Sequence, residues 1–238
     1  MATISGNIQE LRQRIARACE TAHRPVQSVT LLTVSKTFSG DAVRTAYAAG
    51  ARCFGENYVQ EGLDKIAELA DLRAALEWHL IGPLQSNKTR VVAEAFDWVH
   101  SVDRLKIAQR LSEQRPAGLA PLQVCLQVNI SGEASKSGVS LAELPALAAQ
   151  VAALPRLRLR GLMAIPEPAG DSETQRRPHR ALAQALAELN RQGLSLDTLS
   201  MGMSADLEAA IAEGATIVRV GSAIFGSRAA LAATQGHA

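Results

Sequence analysis

Aromatic residues make up only 3% of this 238-residue chain, whereas hydrophobic residues of all kinds reach 47% and are mostly Ala, Leu and Val. So few rings, with no basic run interleaved with them, argue against nucleic acid as a partner. The aliphatic surplus suits helices packed on β-strands around a sizeable core. Cysteine is also scarce. Cys19, Cys53 and Cys125 are far apart, form no C-x-x-C pair and leave one over, which speaks against a disulfide framework and a zinc cluster. Two of them sit among apolar or small residues and read as buried thiols. No apolar run approaches the roughly 18 residues needed to cross a membrane, and no apolar stretch with a cleavage site follows Met1. Neither sign of charge dominates, since the net charge is +2 and the pI near 8.6. A reducing cytoplasm is the simplest compartment. No G-x-G-x-x-G follows the first strand and no G-x-x-x-x-G-K-[ST] occurs, so neither dinucleotide nor P-loop binding is indicated.

What the chain does have is alternation. Residues 4 to 22 carry Ile4, Ile8, Leu11, Ile15 and Ala18 on one helical face. A strand at 30–38 follows, then a helix from the Ser39 cap to Ala49, closed by Gly50. Further strands are predicted at 51–55, 77–82, 96–102, 122–130, 157–163, 196–201 and 215–220. Helices are predicted at 58–75, 88–95, 103–114 with Asp103 as cap, and 140–154 behind a Ser140/Glu143 capping box. Two more are expected at 179–191 and at 204–213 with Ser204 as cap, and another ends the chain. Residues 166–178 read as a long loop and lid candidate, and 234–238 as a disordered tail. Eight strands, each followed by a helix, give an α/β single-domain (β/α)₈ barrel with an extra N-terminal helix; an open doubly wound sheet is the alternative.

In such a barrel the chemistry gathers where strands end. The run Thr30-Leu-Leu-Thr-Val-Ser-Lys-Thr-Phe38 is a buried strand that delivers Lys36 to that rim. Covered, its ammonium would be penalised by desolvation and its pKa lowered towards neutrality, giving an amine able to attack an aldehyde; open, it is a solvated lysine. The other strand ends supply Glu56, Asn57, His79, Gly82, Asn129, Met163, Met201, Met203, Ser204, Arg219, Gly221 and Ser222. Ser204 and Gly221-Ser222 begin helices after strands seven and eight, where backbone N–H groups receive a phosphate or simply cap. An amine with one phosphate site fits either pyridoxal 5'-phosphate or a sugar-phosphate Schiff base. Arg219 facing a pyridine nitrogen would oppose its protonation by about 1 to 4 kcal/mol at close range; pairing with Glu56 or Asp206 is the other reading. His79 suits an acid, a base or a hydrogen-bonded core histidine. Asn57 suits a ring contact or a turn, and Met201 and Met203 suit packing. Glu56, Lys88 and Lys136 read as rim ion-pair members.

Val34-Ser-Lys-Thr37, Phe54-Gly-Glu-Asn-Tyr-Val-Gln-Glu61, His79-Leu-Ile-Gly-Pro-Leu-Gln-Ser-Asn-Lys88, Gly161-Leu-Met163, Ser200-Met-Gly-Met-Ser204 and Arg219-Val-Gly-Ser-Ala-Ile-Phe-Gly226 together resemble the pyridoxal phosphate homeostasis protein family. These are single-domain relatives of the alanine racemase barrel. The resemblance implies that Lys36 carries the cofactor as an internal aldimine and that Ser204, Gly221 and Ser222 hold its phosphate. It also implies that Arg219 faces the pyridine nitrogen and that Asn57 and Met201 line the pocket, with His79 and Lys136 near the site. It implies a cytoplasmic, usually monomeric carrier or buffer of the cofactor that supplies pyridoxal phosphate-dependent apoenzymes, without a catalytic reaction. An amino-acid racemase or decarboxylase is the alternative. A racemase of this fold needs a second acid/base opposite the lysine, yet Tyr47 and Tyr58 are the only tyrosines and one helix alone is expected beyond strand eight.

Overall fold

The computed structural model describes residues 3–131 and 137–226. Its parallel strands are β1 (Thr30–Val34), β2 (Cys53–Glu56), β3 (Glu77–Leu80), β4 (Trp98–Val102), β5 (Leu122–Gln127), β6 (Leu157–Met163), β7 (Thr198–Ser200) and β8 (Ile217–Val220). They pair in chain order, and β8 closes on β1 through Thr33 opposite Val220, so the barrel is complete. Helices α1 (Ile4–Thr21), α2 (Gly40–Ala48), α3 (Val59–Glu68), α4 (Thr89–Ala95), α5 (Leu105–Gln114), α6 (Leu144–Ala152), α7 (Ser172–Arg191), α8 (Leu207–Ala212) and α9 (Ser222–Phe225) complete the described elements. The predicted barrel and N-terminal helix are both present.

Side chains alternate across each strand. Leu32, Val34, Ile81, Trp98, Cys125, Met163 and Ile217 therefore fill the barrel interior. Phe54, Trp78, Leu80, Leu126, Leu162, Val218 and Val220 face outward into the layer shared with the helices. Helix α1 buries Ile8, Leu11, Ile15, Ala18 and Cys19 against α2, α8 and α9. Each fully buried aliphatic side chain contributes about 1.5–3 kcal/mol, which fixes this helix to the outside of the barrel. The Asn7 amide donates to the Ile224 carbonyl at 2.8 Å, and Arg14 pairs with Glu208, tying α1 to the segments that follow β7 and β8. No helix among the described residues is long and apolar enough to cross a membrane.

Four local readings change. Helix α7 starts at Ser172, seven residues before the expected position, and contains Pro178. Asp171 caps it by accepting from the Thr174 amide, His179, Leu182 and Leu189 are buried, and Arg176 and Arg180 pair with Glu213. Those tertiary contacts outweigh a penalty of about 3 kcal/mol for an internal proline. The expected long loop thus shrinks to residues 164–171. Ser204 is not a helix cap: it lies in a turn, and α8 begins three residues later with Asp206 at its N-cap. Asp103 does not cap α5 either; its carboxylate pairs with Arg104. Ser140 and Glu143 do bond reciprocally, but in a turn ahead of α6. The 234–238 tail lies outside the described residues.

Candidate functional site at the mouth of the barrel

Lys36 extends the inward row of Leu32 and Val34 two residues past the end of β1, and its side chain is half-buried. Among the described residues it has no hydrogen bond or ion pair, so its amine is uncommitted. The backbone on either side of it, by contrast, is held tightly. The Lys65 ammonium of α3 donates to the Ser35 carbonyl at 2.6 Å, to Glu56 Oε1 at 2.8 Å and to Glu61 Oε1 at 2.7 Å. The Ser35 hydroxyl donates to Glu56 Oε1 at 2.6 Å, and the Thr37 amide donates to the Glu61 carboxylate. Thr37 has φ +68°, a left-handed conformation unusual for a β-branched residue, and it turns the chain just after Lys36. Glu56 is fully buried, and burial raises its pKa despite the opposing pull of Lys65 and Ser35. Glu56 is therefore an ion-pair member, as expected, but one buried behind the rim.

Asn57 follows β2 at the mouth. Gly82, after β3, lies so close that an added Cβ would meet the Asn57 carbonyl oxygen at 2.0 Å, so only glycine lets these two rim segments touch. Asn57 Oδ1 is buried without a hydrogen-bond partner. The residue lines a cavity of about 440 Å³ together with Ile81, Gln127, Asn129, Ile165 and Glu167. The loop read as a lid candidate thus supplies one wall of this cavity.

Gly221 forms the next close approach. A Cβ there would meet the Val34 carbonyl oxygen at 2.8 Å, so the β8–α9 junction presses directly on the end of the strand that leads to Lys36. Ser222 begins α9, whose first amides have no helical acceptor. Ser204 is half-buried, and its carbonyl accepts from Arg14. Met201 does not line the mouth: it is fully buried in the layer between barrel and helices, because strand parity turns it outward and Ser200 inward.

Arg219 projects inward from β8 and is almost completely buried. It pairs with neither Glu56 nor Asp206. Its Nη1 donates to the Ser200 carbonyl and hydroxyl and its Nη2 to the Ala164 carbonyl at 2.8 Å, so the guanidinium bridges the ends of β6, β7 and β8. Burial lowers its pKa to about 10, which leaves it cationic at neutral pH. His79 lies a layer below the mouth, not at the rim as expected. Its ring nitrogens engage Glu77 at 2.8 Å and His100 at 2.9 Å, and His100 in turn engages the Ser200 hydroxyl at 2.7 Å. At this floor end Cys53, Glu77 and His79 bring one sulfur, one carboxylate oxygen and one imidazole nitrogen within 4.8 Å of one another. The thiol donates to the same Glu77 oxygen, and burial, reinforced by that carboxylate, raises the Cys53 pKa to about 12.

Sequence reasoning missed Lys65, Glu61, His100 and Ser200. One signal was available: His79 and His100 each sit third in adjacent apolar strands, which puts both imidazoles inside a closed barrel. Of the two tyrosines, Tyr58 is exposed and Tyr47 lies beneath the Arg52 guanidinium at 4.1 Å. Lys88, expected in an ion pair, makes none among the described residues, and Lys136 lies outside them.

Residues 6–229 match the family model described as alanine racemase, N-terminal domain. The chain is 64% identical over 228 residues to the pyridoxal phosphate homeostasis protein of Pseudomonas aeruginosa, covering 96% of this chain and 97% of that one. It is 56% identical over 229 residues to the protein of the same name from Escherichia coli, covering 96% and 98%. Among solved structures, PipY of Synechococcus elongatus with PLP bound superposes with a TM-score of 0.82 at 40% identity, covering 94% of this chain and 100% of that one. Alanine racemase from Corynebacterium glutamicum shares the fold at a TM-score of 0.66 and 18% identity.

Proposed function

This chain belongs to the pyridoxal phosphate homeostasis protein family, built on the barrel of the alanine racemase N-terminal domain, and on that basis we propose that it binds and buffers pyridoxal 5'-phosphate (PLP). When bound, this group supplies an aldehyde that an amine can hold covalently. The carrying observation is the uncommitted Lys36 amine, two residues beyond Val34, the residue whose carbonyl the Gly221 junction approaches so closely that a Cβ would clash. The buried, unpartnered Asn57 Oδ1 is a second polar group with its capacity free, as a ligand site requires. Lys36 would hold the aldehyde. The open amides of α9, with Ser222 and Ser204, would receive the phosphate, and Arg219 would meet the ring nitrogen with a charge that disfavours its protonation. Asn57 would offer its unpartnered Oδ1 to the bound group. Met201 supports the site from behind, and His79 acts through Arg219.

The protein is read as a carrier without a reaction of its own, working as a cytoplasmic monomer and passing PLP to apoenzymes. A racemase would need a second proton donor at the mouth. Tyr47 is held under Arg52, Tyr58 points to solvent, and His79 has both nitrogens engaged. Borohydride reduction of the PLP-loaded protein, followed by peptide mass spectrometry, tests the reading. The label is expected on Lys36; its appearance only on other lysines, or nowhere, rejects the proposal. Exchange of an amino-acid α-proton in deuterated water, lost in Lys36→Ala, would instead establish an enzyme.

A further inference from the structure

Five polar side chains run through the barrel in one unbroken hydrogen-bonded line. Arg219 Nη1 lies 2.9 Å from Ser200 Oγ, Ser200 Oγ 2.7 Å from His100 Nδ1, His100 Nε2 2.9 Å from His79 Nδ1, and His79 Nε2 2.8 Å from Glu77 Oε1. Arg219 is 4% exposed, His79 1%, and Ser200 and His100 0%. Only Glu77 reaches water, at the floor of the barrel, where its side chain is 47% exposed. Burying two imidazoles in a barrel lined mostly by apolar side chains is costly unless every ring nitrogen is satisfied. Here each one is.

The protons along this line have one consistent arrangement. The hydrogen bond from His79 keeps Glu77 below the usual carboxylate range against the effect of burial, so it is ionised and only accepts. His79 must then carry a proton on Nε2. Burial holds His100 well below the ordinary imidazole value, so it is neutral. It donates from Nε2 to His79 and accepts at Nδ1 from the Ser200 hydroxyl. Ser200 Oγ is left to accept from Arg219, which can only donate. Every donor points from the guanidinium towards the carboxylate. The reverse arrangement would aim His100 Nδ1–H at Ser200 and leave the Ser200 proton without an acceptor among the described residues.

We propose that Glu77, His79, His100 and Ser200 are positioning residues for Arg219: a one-directional line that fixes the guanidinium and returns part of a distant negative charge to it. The tuning role rests on the PLP reading above; the direction of the line does not. Arg219 spends three of its five N–H groups on Ser200 and Ala164. The other two, Nε–H and one on Nη2, have no acceptor among the described residues and are free for the ring nitrogen. Glu77 thus acts on the bound group from the opposite end of the barrel without touching it.

Histidine ¹⁵N–¹H correlation spectra of the full chain read the direction at once. The line requires a proton on Nε2 and a bare Nδ1 in both His79 and His100; Nδ1–H on His100 overturns the proposal. Glu77→Gln, which keeps the size and an acceptor but removes the charge, reads the consequence. In PLP-loaded protein it should shift the visible absorption band and release PLP about five-fold faster, the effect of turning one charge-assisted hydrogen bond into a neutral one. Loaded Glu77→Gln with unchanged band and release rate overturns the tuning role. If the wild-type protein takes up no PLP, the binding reading fails instead, and the ring spectra still decide the direction.

Discussion

Replacing Lys65 with methionine keeps most of the length of the side chain but removes the only cation among the described residues that touches Glu56. The two side chains are 6% and 0% exposed, so water cannot take the place of the ammonium. Glu61, the other acceptor, is 27% exposed and can be solvated. The loss therefore falls on Glu56, a buried carboxylate left without its partner, for which the usual destabilisation is about 3–5 kcal/mol. For a chain of this size that corresponds to a melting temperature lower by about 6–20 °C. The pH dependence identifies the cause. Glu56 has a raised folded-state pKa, so as a single group it favours the fold at low pH and costs stability as pH rises through that value. Losing Lys65 raises it further. The gap between wild type and Lys65→Met should widen as pH rises through the raised folded-state value and narrow on acidification as the carboxyl takes up a proton. Scanning calorimetry across pH, with Glu56→Gln/Lys65→Met as the partner variant, provides the measurement. The double variant should recover part of the loss, because no buried charge remains. A drop below about 2 °C at high pH, less than one kcal/mol for a chain this long, or a gap that acid leaves unchanged would refute the reasoning. Because Lys65 also holds the Ser35 carbonyl, Lys65→Met should bind PLP more weakly even at temperatures where it is fully folded.

Gly221→Ala puts a Cβ 2.8 Å from the Val34 carbonyl and should push the start of α9 off β1, lowering stability by about 1–3 kcal/mol and weakening PLP retention, as read by gel filtration of loaded protein. Gly118→Ala, with nothing within 4 Å, serves as the silent control. Burial pushes Asp206 up, but hydrogen bonds from His179 and the Met203 amide, with nearby positive charge, hold it below the usual range. Its stabilisation is therefore complete above the unfolded-state pKa and lost as pH falls through the lower folded value, so the melting-temperature deficit of Asp206→Asn should be full at neutral pH and vanish in strong acid. Lys36→Ala should abolish the borohydride label while leaving melting within about 0.5 kcal/mol of wild type, since the side chain bonds to no described residue.

The sequence alone determined the barrel, because eight short apolar runs alternating with amphipathic segments leave few ways to bury both faces of a parallel sheet. It also placed Lys36, Asn57, Arg219 and Gly221 at strand ends, since a barrel gathers those ends at one mouth. Pro178 misled the local reading because one missing amide weighs less than the buried face of α7 and its ion pairs with Glu213, and both of those are tertiary. Ser204 misled it in a similar way, since a hydroxyl that can cap need not stand where the helix starts. Met201 was turned away from the mouth by strand parity, which a one-residue shift of register reverses. What only the folded molecule decided is the support beneath the site. The Lys65 cluster and the line from Arg219 to Glu77 join residues up to 100 positions apart. No local pattern encodes such pairings; closing the barrel brings the side chains together, and the cost of leaving any of them unpaired inside it sets the hydrogen bonds they make.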